Sequence, residues 1–202
     1  MLLLSLERSS STPGAALYCG NSLISATSGA FSMATDCNRL LSATTEKLSA
    51  ILLTIGPGSF SGIRSAIGFA QGLSLPHPDI RLLGVSTAAV IAWQELRLAT
   101  SGASCVVMGD ARREHVWKAV FTRTATSLSA SEITLHPYAS LSDLRLPTSD
   151  VVLSPDAEKV ATLLNSSVAP AYPTAEGLAS LYFAEPSLFI ENPLPIYLHN
   201  AV

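Results

Sequence analysis

Short apolar runs alternate with polar and glycine-rich breaks along the whole chain. Leu2–Leu6, Ala15–Cys19 and Leu23–Ser28 have strand length and are joined by turns at Ser9–Gly14 and Gly20–Ser22. Asp36–Leu48 is the first helix candidate. Ile51–Ile55 is β-branched or Leu between breakers, which predicts a buried strand. Phe60–Leu75 predicts a helix stopped by Pro76-His77-Pro78, Leu82–Val85 a strand, and Thr87–Leu98 a helix. Beyond Thr100-Ser101-Gly102, Cys105–Met108 and Val116–Arg123 predict two strands around a charged turn. The Ser/Thr-rich tract Thr122–Ser131 reads as a loop, and polar segments follow to about residue 150. Val151–Leu153, then helices at Ala157–Leu164 and Thr174–Phe183, complete the pattern. The expectation is an α/β protein of two lobes, residues 1–100 and a smaller 101–202.

The junction after Ile55 carries the densest signal. Gly56-Pro57-Gly58-Ser59-Phe60-Ser61-Gly62-Ile63-Arg64 turns a strand into a helix. Gly56 and Gly58 open backbone angles closed to other residues, and Pro57 fixes one φ. Ser59 is placed to cap the helix. Free N–H groups at such a helix start attract anions. The ATPase P-loop is excluded, because three residues separate Gly58 from Gly62, five separate Gly56 from Gly62, and no Lys follows. A dinucleotide loop requires a carboxylate after the next strand, where Ser86-Thr87 stands instead. The alternative is that the glycines let strand and helix pack closely. Nor is Ser59 a hydrolase nucleophile, since Gly58 directly precedes it.

The helix that follows poses its own question. Phe60, Ile63, Ile67, Ala70 and Ser74 follow one face. Gly68 and Gly72 are one turn apart, as are Ser61 and Ser65. Each interior glycine costs about 1 kcal/mol relative to alanine. Either the helix packs tightly on its own sheet, or a helix of another molecule docks on it. Arg64 lies in the first turn, where the dipole disfavours a cation by about 0.3–1 kcal/mol, so a compensating carboxylate, carbonyl or anion is expected.

Composition narrows the classes. Apolar residues make up 48% and charged residues only 13%, enough for a core with apolar surface to spare. A net charge of −3, with no Lys/Arg run and no aromatic RNA-binding motif, argues against a self-sufficient nucleic-acid binder. Met1–Leu6 lacks the positive region of a signal peptide, and no run approaches the roughly 18 apolar residues of a membrane span. Cys19, Cys37 and Cys105 are odd in number and dispersed, which suits a reducing cytoplasm. His77, His115, His136 and His199 are far apart in sequence and offer no metal-ligand spacing.

Three islands carry a resemblance to a known family. The glycine turn with Leu83-Gly84-Val85-Ser86-Thr87, the stretch Val106–Trp117 with its Asp110-Ala111-Arg112 turn, and the tail Pro193–His199 resemble the TsaB (YeaZ) family. His199 stands where the family usually has Arg. The resemblance implies an actin-like ATPase fold built on ribonuclease H-like halves, with a degenerate nucleotide site. Three strands followed by helix, strand, helix, strand and helix fit such a half.

The resemblance also implies a role. Family members are non-catalytic subunits in forming N6-threonylcarbamoyladenosine at position 37 of tRNA, in the cytoplasm. They pair with the catalytic paralogue TsaD through N-terminal helices, the ATPase TsaE joins the pair, and tRNA is handled by the complex. ATP is then used by the complex, with no intrinsic cofactor, metal or catalytic residue in this chain. Interface or anion-binding candidates are Gly56, Gly58, Ser59, Ser61, Gly62, Arg64, Ser65, Gly68 and Gly72, and Asp110 and Arg112 form a structural turn. A homodimer through the same surface is a further expectation. The competing class is an autonomous phosphotransferase or ATPase using the glycine turn. The first-strand end separates the two: Glu7-Arg8-Ser9 replaces the family's Asp-Thr-Ser remnant, with Arg8 expected to neutralise Glu7 in a solvated turn. The segment from Phe31 to Ile51 is shorter than usual, with Ser32-Met33-Ala34-Thr35 at the first helix entry, which predicts a trimmed helix.

Overall fold

The structure is a computed structural model and describes residues 1–144, 146 and 151–199. In chain order its strands are β1 (Leu2–Glu7), β2 (Gly14–Cys19), β3 (Ser22–Ser28), β4 (Leu48–Thr54), β5 (Arg81–Val85), β6 (Ser104–Arg112), β7 (His115–Arg123), β8 (Leu128–Ala130), β9 (Thr134–Pro137), β10 (Val151–Ser154), β11 (Ala169–Pro170) and β12 (Ile190–Glu191). Its α-helices are α1 (Met33–Leu41), α2 (Phe60–Ser74), α3 (Thr87–Leu96), α4 (Ala157–Leu164) and α5 (Ala175–Ala184).

The chain forms two compact units, Met1–Val90 with Pro173–Ile196, and Ile91–Tyr172 with the segment from Tyr197 on. This division differs from a single cut at residue 100. The chain returns to the first unit because α5 has a buried face, Leu178, Ala179 and Leu181, that packs against β1, β2 and β4.

The first unit holds a six-stranded sheet in the order β12-β5-β4-β1-β2-β3. The antiparallel meander β1-β2-β3 joins the parallel strands β1, β4 and β5. That is the ribonuclease H-like order the sequence predicts. β1 is central and every one of its residues is buried, which explains its nearly unbroken apolar run. Leu2, Leu4, Leu6, Ile51 and Leu53 pack with Cys37 and Leu40 of α1 and Ile63, Ile67 and Ala70 of α2. On α5, Phe183 meets the Tyr18 ring edge-on at 5.4 Å.

The end of the described chain closes this sheet. Ile190 pairs with Gly84, and Arg81 forks onto Glu191 Oε1 at 3.0 and 2.6 Å. Further on, the Ile196 N–H donates to the Ile55 carbonyl at 2.8 Å.

The second unit has the order β11-β10-β6-β7-β8, with β9 also paired to β7. Val106, Met108, Val116, Val152 and Val160 form its core with Leu141.

Several boundaries differ from expectation. The first helix ends at Leu41, not Leu48, because Leu48 already belongs to β4. The Ser/Thr tract contains β8, and the following polar stretch contains β9 and a 3-10 turn at Tyr138–Asp143. Residues 145 and 147–150 of that stretch lie outside the described residues.

Candidate functional site

The carboxyl ends of β1, β4 and β5 come together in the first unit. Leu6 pairs with Leu53, so Glu7 and Thr54 are next neighbours across the parallel ladder, and Thr54 pairs with Val85. Glu7 is fully buried. Its Oε1 accepts from the Ser9 N–H at 2.6 Å, the Ser9 hydroxyl at 2.7 Å and the Ser10 N–H at 3.1 Å. Its Oε2 has no hydrogen-bond partner among the described residues, nor do the buried hydroxyls of Thr54 and Thr87. Burial pushes the carboxyl up to about 7, although the Thr54 hydroxyl and the Ser9 and Ser10 groups pull the other way.

This corrects the expectation of a solvated, salt-bridged turn. The Arg8 guanidinium leaves Glu7 and donates to the Phe31 carbonyl at 3.3 Å, with its carbon 5.7 Å from the centre of the Phe31 ring.

The turn that Glu7 holds is pressed against the glycine loop. The Ser59 N–H donates to the Ser9 carbonyl at 2.7 Å. A Cβ on Gly58 would collide with that carbonyl oxygen, and one on Gly62 with the Arg8 carbonyl oxygen. These two glycines are thus needed for close backbone approach. Gly56 has φ +104°, and its carbonyl accepts the Thr87 N–H at 2.8 Å. Ser59 caps α2 as predicted, its Oγ accepting from Gly62 N–H at 3.3 Å and its carbonyl from Ile63 N–H at 2.9 Å.

The loop does not fit a magnesium–nucleotide cradle. A P-loop works by aiming free N–H groups at phosphate, whereas here the Ser9 carbonyl takes the Ser59 donor. The carboxyl at the end of β1 is shut away from any solvated ion.

The outward face of α2 is different. Ser61, Arg64, Ser65, Gly68 and Gly72 are all exposed. A Cβ at Gly68 or Gly72 would meet nothing within 4 Å, so tight packing on the home sheet is not their reason. Ser65 turns its hydroxyl back to the Gly62 carbonyl at 2.8 Å. Phe60 and Leu75 frame this face at 59% and 85% exposure. Arg64 finds an aromatic counterpart rather than an anion, lying 5.0 Å from the centre of the Phe60 ring. Behind, α1 is short, and Asp36 accepts from the Ser32 N–H at 2.8 Å.

In the second unit Asp110 gathers a polar cluster. Its side chain is 4% exposed and accepts from Tyr138 Oη at 2.9 Å, Lys159 Nζ at 2.8 Å and the Arg112 N–H at 3.0 Å. Arg112 also pairs with it at 3.1 Å. Burial alone raises the carboxyl, but Lys159, the Arg112 amide and Tyr138 outweigh it and hold it below the usual range. Arg112, Arg113 and Glu114 all have positive φ, which makes a tight hairpin between β6 and β7. Lys159 and Tyr138 are absent from the sequence expectation, because nothing local links them to Asp110.

The comparisons with known proteins add the lineage. A family model described as TsaD, tRNA N6-adenosine threonylcarbamoyltransferase, matches residues 33–178. The tRNA threonylcarbamoyladenosine biosynthesis protein TsaB of Escherichia coli (strain K12) is 30% identical, across 77% of this chain and 72% of the relative. This chain belongs to the TsaB (YeaZ) family. YeaZ from Pseudomonas aeruginosa shares the fold at TM-score 0.76 and 22% identity, covering 98% of this chain and 100% of that one. A second P. aeruginosa structure, described as an uncharacterized protein with similarity to peptidase YEAZ, gives 0.75 and 21%, over 98% and 99%.

As a TsaB-family chain it departs from the pattern at His199, yet the residue still donates. Its Nε2 lies 2.8 Å from the Ala111 carbonyl, which can only accept, and its ring stands edge-on to His115 at 5.5 Å. Among the described residues no group of His, Cys, Asp or Glu could hold a metal ion, and no helix is long and apolar enough to cross a membrane.

Proposed function

We propose that this chain is a non-catalytic partner subunit of a TsaD-type threonylcarbamoyltransferase, acting in the formation of N6-threonylcarbamoyladenosine at position 37 of tRNA. One observation carries the reading. The outer face of α2 exposes Ser61, Arg64, Ser65, Gly68 and Gly72, with open space above both glycines. A helix stripped of side chains along one stripe lets a second helix approach at short distance. The isolated helix gives up about 1 kcal/mol per glycine for that. Family membership supplies the partner, a TsaD-type paralogue. The same face also suits a second copy of this chain when the partner is absent.

In this reading the chain binds no cofactor of its own. ATP is handled by the complex, which a TsaE-type ATPase joins, and tRNA is engaged through the complex in the cytoplasm. Autonomous phosphotransfer is disfavoured by the Ser9 carbonyl on the Ser59 amide and by the burial of Glu7.

The test is co-expression with the TsaD-type protein of the same organism, read by size-exclusion chromatography with light scattering and by the modified nucleoside in tRNA. Gly72→Leu should abolish the complex while circular dichroism stays native. A folded Gly72→Leu protein that still associates normally overturns the placement of the interface. Mg-ATP turnover by the chain alone, lost in Gly58→Val, overturns the non-catalytic role.

A further inference from the structure

Strand β3 ends the sheet of the first unit, with β2 on one side and, among the described residues, no strand on the other. None of its seven residues is buried, and Leu23 and Ile24 are 50% and 39% exposed. A terminal strand turns half of its backbone donors and acceptors away from its neighbour, where they form a template for another strand. The ladder shows which ones. The Gly29 N–H donates to the Pro13 carbonyl at 3.0 Å, and Gly14 then pairs with Ser28, Ala15 with Thr27, Ala16 with Ala26 and Leu17 with Ser25. Hydrogen-bonded and non-bonded pairs alternate along an antiparallel ladder. Ser25 and Thr27 therefore bond to β2, and Ala26 and Ser28 direct their N–H and C=O groups outward.

Edge strands ordinarily carry a charge, a proline or a covering segment against such pairing, or are kept very short. The other strands that end the sheets follow this rule: β11 and β12 have two residues each and β8 has three. β3 does not. Its sequence Ser22-Leu23-Ile24-Ser25-Ala26-Thr27-Ser28 has no charge and no proline, and no charged residue lies between Arg8 and Asp36. Beyond its ends, a Cβ on Gly20 or Gly29 would meet nothing within 4 Å. The single protective device is a bulge at Ile24, where the register shifts between Leu17 and Tyr18. It bends the start of the strand and leaves Ile24–Ser28 as the regular stretch.

That stretch is complementary to itself. A second copy laid antiparallel about a two-fold axis at Ala26 sets Ala26 opposite Ala26, Ser25 opposite Thr27 and Ile24 opposite Ser28. The outward groups of the two Ala26 residues then exchange both hydrogen bonds, and the Ser25 and Thr27 hydroxyls face each other as a cross-strand pair. A charge on such a strand would meet its own image across the axis, and β3 has none. A foreign strand would be selected by charge or by side-chain pockets, and this edge offers neither. We propose that β3 is a self-association surface, where two copies of this chain pair antiparallel and join their six-stranded sheets into one. The surface is separate from the α2 face, because α2 packs on β4 and β5 while β3 closes the other end of the sheet. The proposal does not rest on the subunit reading above.

A contact of one short strand per copy buries less than the roughly 1,200 Å² of a stable interface, so the dimer is weak, with a dissociation constant on the order of 10–100 μM. The experiment uses the full chain alone, by sedimentation equilibrium and by NMR amide exchange between about 5 and 500 μM. Dimer should accumulate across that range, and the Ala26 and Ser28 amides should exchange roughly fivefold more slowly at the upper end. Ala26→Pro removes an outward donor without touching the β2 ladder, and should abolish the dimer while circular dichroism stays native. Gly72→Leu, on the α2 face, should leave the dimer intact. If Ala26→Pro does not fold, Ile24→Lys takes its place, since it sets a charge on the exposed edge.

A chain that stays monomeric up to about 500 μM overturns the proposal. So does a dimer that persists in the folded edge variant, one that forms without slowing the Ala26 and Ser28 amides, or one that is lost in Gly72→Leu. The last result would place self-association on α2, and none of these outcomes bears on pairing with a TsaD-type protein.

Discussion

The Ser9 carbonyl oxygen accepts the Ser59 backbone N–H at 2.7 Å, which ties the end of the first strand to the start of α2 across fifty residues of sequence. The contact exists because Gly58 and Gly62 have no side chains to block it. Gly62→Ala should therefore cost about 2–4 kcal/mol, since the obstacle is the Arg8 backbone and not a movable side chain. Urea denaturation of the variant measures it. A cost under about 0.5 kcal/mol would mean the β1–β2 turn yields freely.

The two outer glycines of the same helix should behave in the opposite way. Gly68→Ala and Gly72→Ala meet no neighbour in the single chain. Each should stabilise the monomer by about 0.5–1 kcal/mol through helix propensity. Partner association should weaken in the same proteins. A variant that gains stability and keeps its partner affinity would place the contact off this stripe.

Stability should depend on pH through Glu7. Burial pushes its carboxyl from the ordinary 4.5 up to about 7, so the folded state holds the proton more tightly. Stability is complete below about pH 4.5 and falls as pH rises toward 7, by about 3 kcal/mol in all. Guanidinium titrations across that window should show the fall in wild type and a flat profile, for this component, in Glu7→Gln.

Asp110 has the opposite sign. Its carboxyl is held below the ordinary value of 3.8, so its contribution is present above that pH and is lost as pH falls through the folded value. Asp110→Asn should destabilise by about 1–3 kcal/mol at pH 7, because it strips the ion pairs with Lys159 and Arg112 from a nearly buried group. The difference between the two proteins should shrink toward pH 3. Thermal melts at both pH values check this.

Local signals in the sequence reached the elements but not their partners. The run at Ile51–Ile55, the cap at Ser59 and the helix at Ala157–Leu164 were all legible, because burial and capping leave marks within a few residues. The Asp110–Arg112 pair was legible for the same reason. The environment of Glu7 was not. A charged pair Glu7-Arg8 reads as a solvated turn unless β1 is known to be central and Thr54 its neighbour. One clue was available, since Leu3, Ser5 and Glu7 alternate along a strand whose other residues are all apolar. The return of α5 to the first unit was equally hidden, because an apolar helix face does not say which sheet it covers. Strand β12, at two residues, carries no periodicity to detect.

That return has a consequence for how the protein is made. The first ninety residues leave the ribosome with one face of their central sheet uncovered and the outer edge of β5 unpaired. The helix and strand that close them, residues 173–196, are synthesised only after residues 91–172, the larger part of the second unit, have emerged. At translation speeds of about 5–20 residues per second, several seconds pass in that state. The nascent chain therefore presents an apolar surface to chaperones during that interval, and residues 91–172 have the opportunity to fold before the first unit is complete.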